Sequence, residues 1–203
     1  MGALTGPEDV SSTLRRIEDS ATRMGSLVED LLHLARLDEG RPQRSEPVDL
    51  VVLAADAVAD LRALDAGRSV RVVPVAGASS TAGALTVGDE ARLRQVVANL
   101  VGNVVQHTPE GSPVELAVGR VDERAVLEVR DHGPGISPEH APRVFERFYR
   151  VDAARGRASG GAGLGMAIVS AIVDAHRGTV TLEQTPGGGA TIRVSFPAAD
   201  AEP

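Results

Sequence analysis

Between residues 11 and 38 apolar side chains recur in alternating steps of three and four: Leu14, Ile17, Ala21, Met24, Val28, Leu31 and Ala35. This seven-residue repeat predicts one long helix whose seam faces another helix, as in a coiled coil or bundle. Leu27, Leu32 and Leu34 widen the stripe, which suits a four-helix bundle better than a narrow seam. One helix cannot bury such a face alone. A partner helix, from a second copy or from missing chain, is therefore implied. Ser11 or Ser12 is the expected cap, and Gly40 and Pro42 end the helix.

The pattern then changes. Residues 39–47 read as a linker. Residues 49–66 read as a helix, 69–77 as a strand, and 84–88 as a short strand. Residues 89–108 form a strong amphipathic helix stopped by Pro109. Residues 113–131 alternate as a hairpin that turns at 121–124. A short helix is expected over 137–150, followed by a polar, glycine-rich loop. An apolar helix over 164–178 stops at Gly178, and 179–197 form a last hairpin. Helices mixed with mostly antiparallel hairpins predict an α+β fold, a two-layer α/β sandwich, and argue against a doubly wound parallel sheet. The expected division is 1–45, bundle helix and linker, and 46–203, one mixed domain.

Composition narrows the classes. The 203 residues are 42% hydrophobic and carry a formal charge of -7. That is enough chain for a real core plus an appendage. The acidic balance argues against a nucleic-acid partner. No cysteine is present, which excludes disulfides and thiolate metal sites. No apolar run reaches membrane-spanning length, and no signal-peptide pattern opens the chain. Aromatics make up only 2% of the residues, yet Phe145, Phe148 and Tyr149 fall together in "FERFY".

Three further features carry candidate chemistry. Asp131 ends an apolar strand, ahead of a turn containing Gly133 and Gly135. Such residues punctuate ordinary turns. They equally suit a site where a fixed carboxylate reads a ligand donor and glycine lets the backbone come close. Asn99 and Asn103 stand four apart on one face of the 89–108 helix, although Asn is a poor interior helix residue. They read either as solvent-facing or bridging amides, or as oxygen ligands for Mg²⁺, an ion that takes its remaining ligands from phosphate and water. Gly161, Gly163 and Gly165 open an apolar helix. Glycines ahead of a helix N-terminus make a phosphate site, and a linker looks the same. The lysine and hydroxyl of a P-loop are missing, and no strand directly precedes as a dinucleotide fold requires.

Taken in order, Asn99 and Asn103, "DHGPGI", "FERFY" and "GGAGLGMAIV" resemble the N, G1, F and G2 boxes of sensor histidine kinases. Those boxes belong to the Bergerat ATP-binding fold shared with gyrase, the heat-shock chaperone and MutL. The resemblance covers about residues 48–198, while 11–40 resemble the second helix of the kinase dimerisation hairpin. It implies ATP and Mg²⁺ as ligands. Asp131 would accept a hydrogen bond from the adenine amino group, because an ionised carboxylate only accepts. Gly133, Gly135 and Ile136 would border the base. Asn103 would hold Mg²⁺, with Asn99 as its catalytic companion. Gln106, His107, Phe145 and Arg150 would line the nucleotide site. Gly161, Ala162, Gly163, Leu164, Gly165 and Met166 would form the hinged phosphate side, and residues 151–161 a lid anchored by Phe145, Phe148 and Tyr149.

Some positions depart from the family pattern. Relatives often have Lys or Arg at the place of Gln106 and Tyr at the place of His107. A phosphate-side cation would then come from Arg147, Arg150, Arg155 or Arg157. Autokinases of the family phosphorylate a histidine followed by an acid. None of the five here, His33, His107, His132, His140 and His176, precedes one. His33 falls opposite the heptad seam, and His140 and His176 read as structural. The acceptor segment is therefore expected upstream of Met1. The implied function is transfer of the ATP γ-phosphate to a histidine on a dimerisation helix. Expected partners are that hairpin, a response regulator and a second copy through the N-terminal helix. The segment is expected in the cytoplasm, its parent in some cases anchored in the cell membrane. Two alternatives stay open: an ATP-binding regulatory module without transfer, and a serine kinase of the anti-sigma type, against which the bundle helix counts.

Overall fold

The computed structural model describes residues 44–78, 80–151 and 163–199. It also describes Ser11, Thr13, Leu14, Ile17, Glu18, Ala21, Met24, Gly25 and Val28, all of them helical. Along that run Leu14, Ile17, Met24 and Val28 are all more than half exposed. Leu31, His33, Ala35, Gly40 and Pro42 lie outside the described residues.

The remaining elements form β1 (Glu46–Asp49), α1 (Leu50–Leu64), β2 (Val70–Pro74), β3 (Leu85–Gly88), α2 (Glu90–His107), β4 (Val114–Val121) and β5 (Arg124–Asp131). After them come α3 (Gly165–Ala175), β6 (Thr179–Gln184) and β7 (Ala190–Pro197). A five-stranded sheet runs β2-β4-β5-β7-β6, and β1 pairs with β3 in a small antiparallel ribbon. Only the β2–β4 contact is parallel among the pairs of the larger sheet; the others are antiparallel. This is the expected two-layer α+β sandwich.

Alternation decides the layers. Leu116, Val118, Leu127, Val129, Ile192 and Val194 face the three helices in one core, with Leu53, Leu61, Leu93, Leu100, Ile168 and Ile172. The opposite sheet face carries only a small apolar group, Val75, Ala117 and Val126. Below it runs a line of charge: Arg71 to Glu115, Glu115 to Arg130, Arg130 to Glu128, and Glu128 to Arg193. Glu128 is 5% exposed, a carboxylate kept under two guanidinium groups.

Each helix begins for a local reason. Asp49 caps α1 by accepting from Val51 N at 2.8 Å, and Asp89 caps α2 by accepting from Arg92 N at 3.2 Å. His176, buried past the end of α3, sits over the start of α2. Its Nδ1 lies 2.7 Å from the Ile172 carbonyl and its Nε2 accepts the Asp89 N–H at 3.0 Å. A donor to a carbonyl at one nitrogen and an acceptor at the other fix the neutral tautomer. A Cβ at Gly88 would meet this ring at 2.5 Å, so only glycine fits there.

Two expectations need correction. Residues 46–49, of which 46 and 47 were placed in the linker and 49 in the helix, form β1 by pairing with β3, from Glu46↔Gly88 to Asp49↔Leu85. The helix expected over 137–150 is a single 3-10 turn, Ala141–Arg143. Pro138 and Pro142 lack amide donors, and Phe148 adopts a left-handed φ of 64°, so no i→i+4 ladder extends through the segment.

Candidate functional site

The end of β5, the last two turns of α2 and the start of α3 hold the residues singled out from the sequence. Asp131 closes β5 opposite Val114 and is 9% exposed. Its Oδ1 accepts the Gly133 N–H at 2.9 Å. Its Oδ2 takes no protein partner among the described residues. The turn that follows is packed from two sides. A Cβ at Gly133 would meet Thr108 Cγ2 at 2.7 Å, and one at Gly135 would meet the Gly189 carbonyl at 3.0 Å. Gly135 itself has a φ of 73°. Both glycines are demanded by close approach, not merely by a bend.

The β6–β7 turn supplies the outer support. A Cβ at Gly189 would stand 2.0 Å from the Asp131 carbonyl oxygen, so two main chains lie directly against each other there. The run "PGGG" reads as a plain turn in sequence, and nothing in it signals this contact. Thr108, at the end of α2, is a second supporting residue that the sequence did not single out.

On α2, Asn99 and Asn103 are both half-buried. Asn99 Nδ2 is buried and has no hydrogen-bond partner among the described residues. The amide faces the start of α3, its Oδ1 lying 3.9 Å from where a Gly165 Cβ would be. A buried amide without a partner normally costs stability, and such groups concentrate where a ligand completes the network. The α3 N-terminus carries no side-chain cap, which leaves its first main-chain N–H groups and positive dipole end for an anion. The side chains of Leu164 and Met166 are buried in the core at the start of α3. Gln106, His107 and Arg150 are exposed, and Ile136 is half-buried. Gly161, Ala162, Arg155 and Arg157 lie outside the described residues.

The aromatic group splits into roles. Phe145 packs against the core, Tyr149 is half-buried, and Phe148 is 58% exposed. His140 Nδ1 lies 2.7 Å from the Tyr149 hydroxyl, and the Arg143 guanidinium stacks 4.2 Å above its ring. Glu146 beside it holds the Arg143 guanidinium above its ordinary pKa. Phe148 donates its N–H to the Gly163 carbonyl at 3.0 Å, joining the chain on both sides of residues 152–162. A Cβ at Gly163 would meet the Tyr149 carbonyl at 2.8 Å.

A carboxylate with one oxygen spare thus lies beside the end of α2 through Gly133 and Thr108, and an α2 amide, Asn99, faces the uncapped, glycine-led start of α3. Residues 88–200 match the family described as Histidine kinase-, DNA gyrase B-, and HSP90-like ATPase. The chain belongs to that family. Its relatives narrow the class further. The probable sensor histidine kinase TcrY of Mycobacterium tuberculosis is 43% identical across 89% of this chain and 37% of its own length. The phosphate regulon sensor protein PhoR of Pseudomonas aeruginosa is 37% identical across 95% of this chain and 44% of its own. Full-length ShkA, solved in complex with AMPPNP, superposes with a TM-score of 0.76 at 32% identity, covering 100% of this chain and 41% of that one. The chain spans less than half the length of these relatives. Nearly the whole of this chain is similar to one part of these sensor proteins. No described helix is long and apolar enough to cross a membrane.

Proposed function

We propose that this chain binds ATP with Mg²⁺ and passes the γ-phosphate to a histidine on a dimerisation hairpin. The carrying observation is Asp131: a buried carboxylate, held by Gly133 through one oxygen, with the other lacking a protein partner among the described residues. Adenine offers an amino donor to that oxygen. Guanine would set a carbonyl against it, and unpaired buried polar groups discriminate strongly.

The metal reading fits the donors present. Among the described residues no group of three or more His, Cys, Asp or Glu assembles. An ion held by Asn103 would therefore take its other ligands from phosphate and water, as Mg²⁺ does. When bound, Mg²⁺ offsets charge on the phosphate oxygens. The orphaned Asn99 amide beside Gly165 supplies a donor toward the same region. The α3 N-terminus presents main-chain N–H groups to the phosphates. The protein's contribution is placement and charge neutralisation. Asn99 offers no carboxylate to activate water, which favours transfer to a protein over hydrolysis. In this reading 1–45 belong to the hairpin and linker and 46–203 to the catalytic domain. The exposed Leu14–Val28 seam would pack against a second copy, and a response regulator would receive the phosphoryl group.

The test mixes this chain with a hairpin carrying a histidine followed by an acid, and with γ-labelled ATP. Acid-labile label on the hairpin is expected. ATP binding by calorimetry without any label transfer would leave a regulatory module, and a flat titration would remove the nucleotide reading altogether.

A further inference from the structure

Arg68 is 5% exposed, an unusual place for a guanidinium. It lies between α1 and β2 and makes four hydrogen bonds. Its Nε donates to Asp65 Oδ2 at 2.8 Å. One terminal nitrogen donates to Thr108 Oγ1 at 2.7 Å and to the Ser112 carbonyl at 3.1 Å. The other donates to the Pro109 carbonyl at 3.2 Å. Asp65 Oδ2 in turn accepts the Gly111 N–H at 3.3 Å. One buried arginine thus organises the whole connection from α2 to β4.

That connection leads to the acid in two ways. Arg68 donates to the Thr108 hydroxyl, whose own hydrogen points at the Val104 carbonyl 2.7 Å away. With both bonds made, the threonine rotamer is fixed and its methyl presses on Gly133, the residue whose N–H holds Asp131 Oδ1. The connection also delivers Val114, whose N–H bonds the Ser69 carbonyl at 2.9 Å and which pairs across the ladder with Asp131. We propose that Arg68 is a positioning residue for base selection: acting through Thr108 and the start of β4, it fixes the angle of the Asp131 carboxylate. This rests on the reading of Asp131 as the adenine acceptor.

The test titrates the full 203-residue chain with magnesium-ATP and magnesium-GTP in a calorimeter, and melts the same samples. The variants are Arg68→Met, Thr108→Ser and Asp131→Ala. Arg68→Met and Thr108→Ser are each expected to weaken ATP about tenfold, or 1.4 kcal/mol, while GTP is unchanged, so the preference shrinks. A merely structural arginine would lower the melting temperature and leave the ATP-to-GTP ratio of the folded protein alone, and that result overturns the proposal. Should Arg68→Met fail to fold, Thr108→Ser decides. It keeps the hydroxyl bonded to Arg68 and removes only the methyl, and an unchanged ratio there is equally fatal. Asp131→Ala separates the claims. A ratio lost in Asp131→Ala but kept in the other two discards only the positioning role. A ratio kept in Asp131→Ala discards the adenine reading and the proposal with it.

Discussion

Replacing Gly189 by alanine tests whether the β6–β7 turn holds the base-reading acid in place. The new methyl would lie 2.0 Å from the Asp131 carbonyl oxygen, 2.7 Å from its carbon and 2.8 Å from His132 Cα. All three atoms are main chain, so no rotamer change relieves the clash. The contact must open from 2.0 Å to at least 3.0 Å. Gly189 also has a φ of 104°, where an L side chain adds about 1–3 kcal/mol of strain. Asp131 is held on β5 by its pairing with β4. The 187–189 turn is three glycines tied by Gly188 N to the Thr185 carbonyl at 2.9 Å. The softer partner yields, so the turn swings outward and Gly189 leaves Gly135. Strain and lost packing together come to about 3 kcal/mol, a large share of the 5–15 kcal/mol typical of a domain. Urea unfolding followed by circular dichroism should show a lower midpoint at unchanged slope. ATP titration of the folded variant should show affinity down about tenfold or more. A wild-type midpoint would refute the main-chain contact. A lowered midpoint with unaltered ATP affinity would show that the Asp131 turn keeps its shape without the hairpin.

Other perturbations read other parts. His176→Leu strands the buried Asp89 N–H and is expected to cost about 1–3 kcal/mol in urea unfolding; an unmoved midpoint would show that the imidazole does not cap α2. Asn103→Ala should abolish the difference between ATP titrations run with magnesium and with EDTA, and survival of that difference assigns the ion to another residue. Asp65 has a carboxyl lowered below its usual 3.8, first by the Gly111 N–H and also by Arg68. Its folded pKa lies below its unfolded one, so its contribution is present above pH 3.8 and is lost as acid carries the solution through the folded value. Asp65→Asn should therefore unfold less steeply than wild type over that acid window, and matching pH profiles would remove the role.

What the sequence showed depended on how local each cause was. The long helix α2 and the β4–β5 hairpin were legible because their periodicity is strong and Pro109 marks a boundary. Strand β1 was not, because "EPVD" has no alternation of its own and becomes a strand only by pairing with residues 85–88. The helix expected over 137–150 does not form because two prolines and a left-handed Phe148 interrupt the segment. At the site, Asp131 and the α2 amides were singled out through their combination, since alone the first suits an ordinary turn and the second a pair of bridging amides. Arg68 was not, since three of its four acceptors, Thr108, Pro109 and Ser112, lie 40 to 44 residues away. Gly189 hid in a turn whose glycines are expected for bending alone.

The charged line across the bare side of the sheet limits how this molecule can associate. A second sheet laid there would have to strip water from Arg71, Glu115, Arg130 and Arg193 together, while meeting the small apolar group around Ala117. Stacking is thereby disfavoured, and encounters with other proteins are steered to the remaining surfaces.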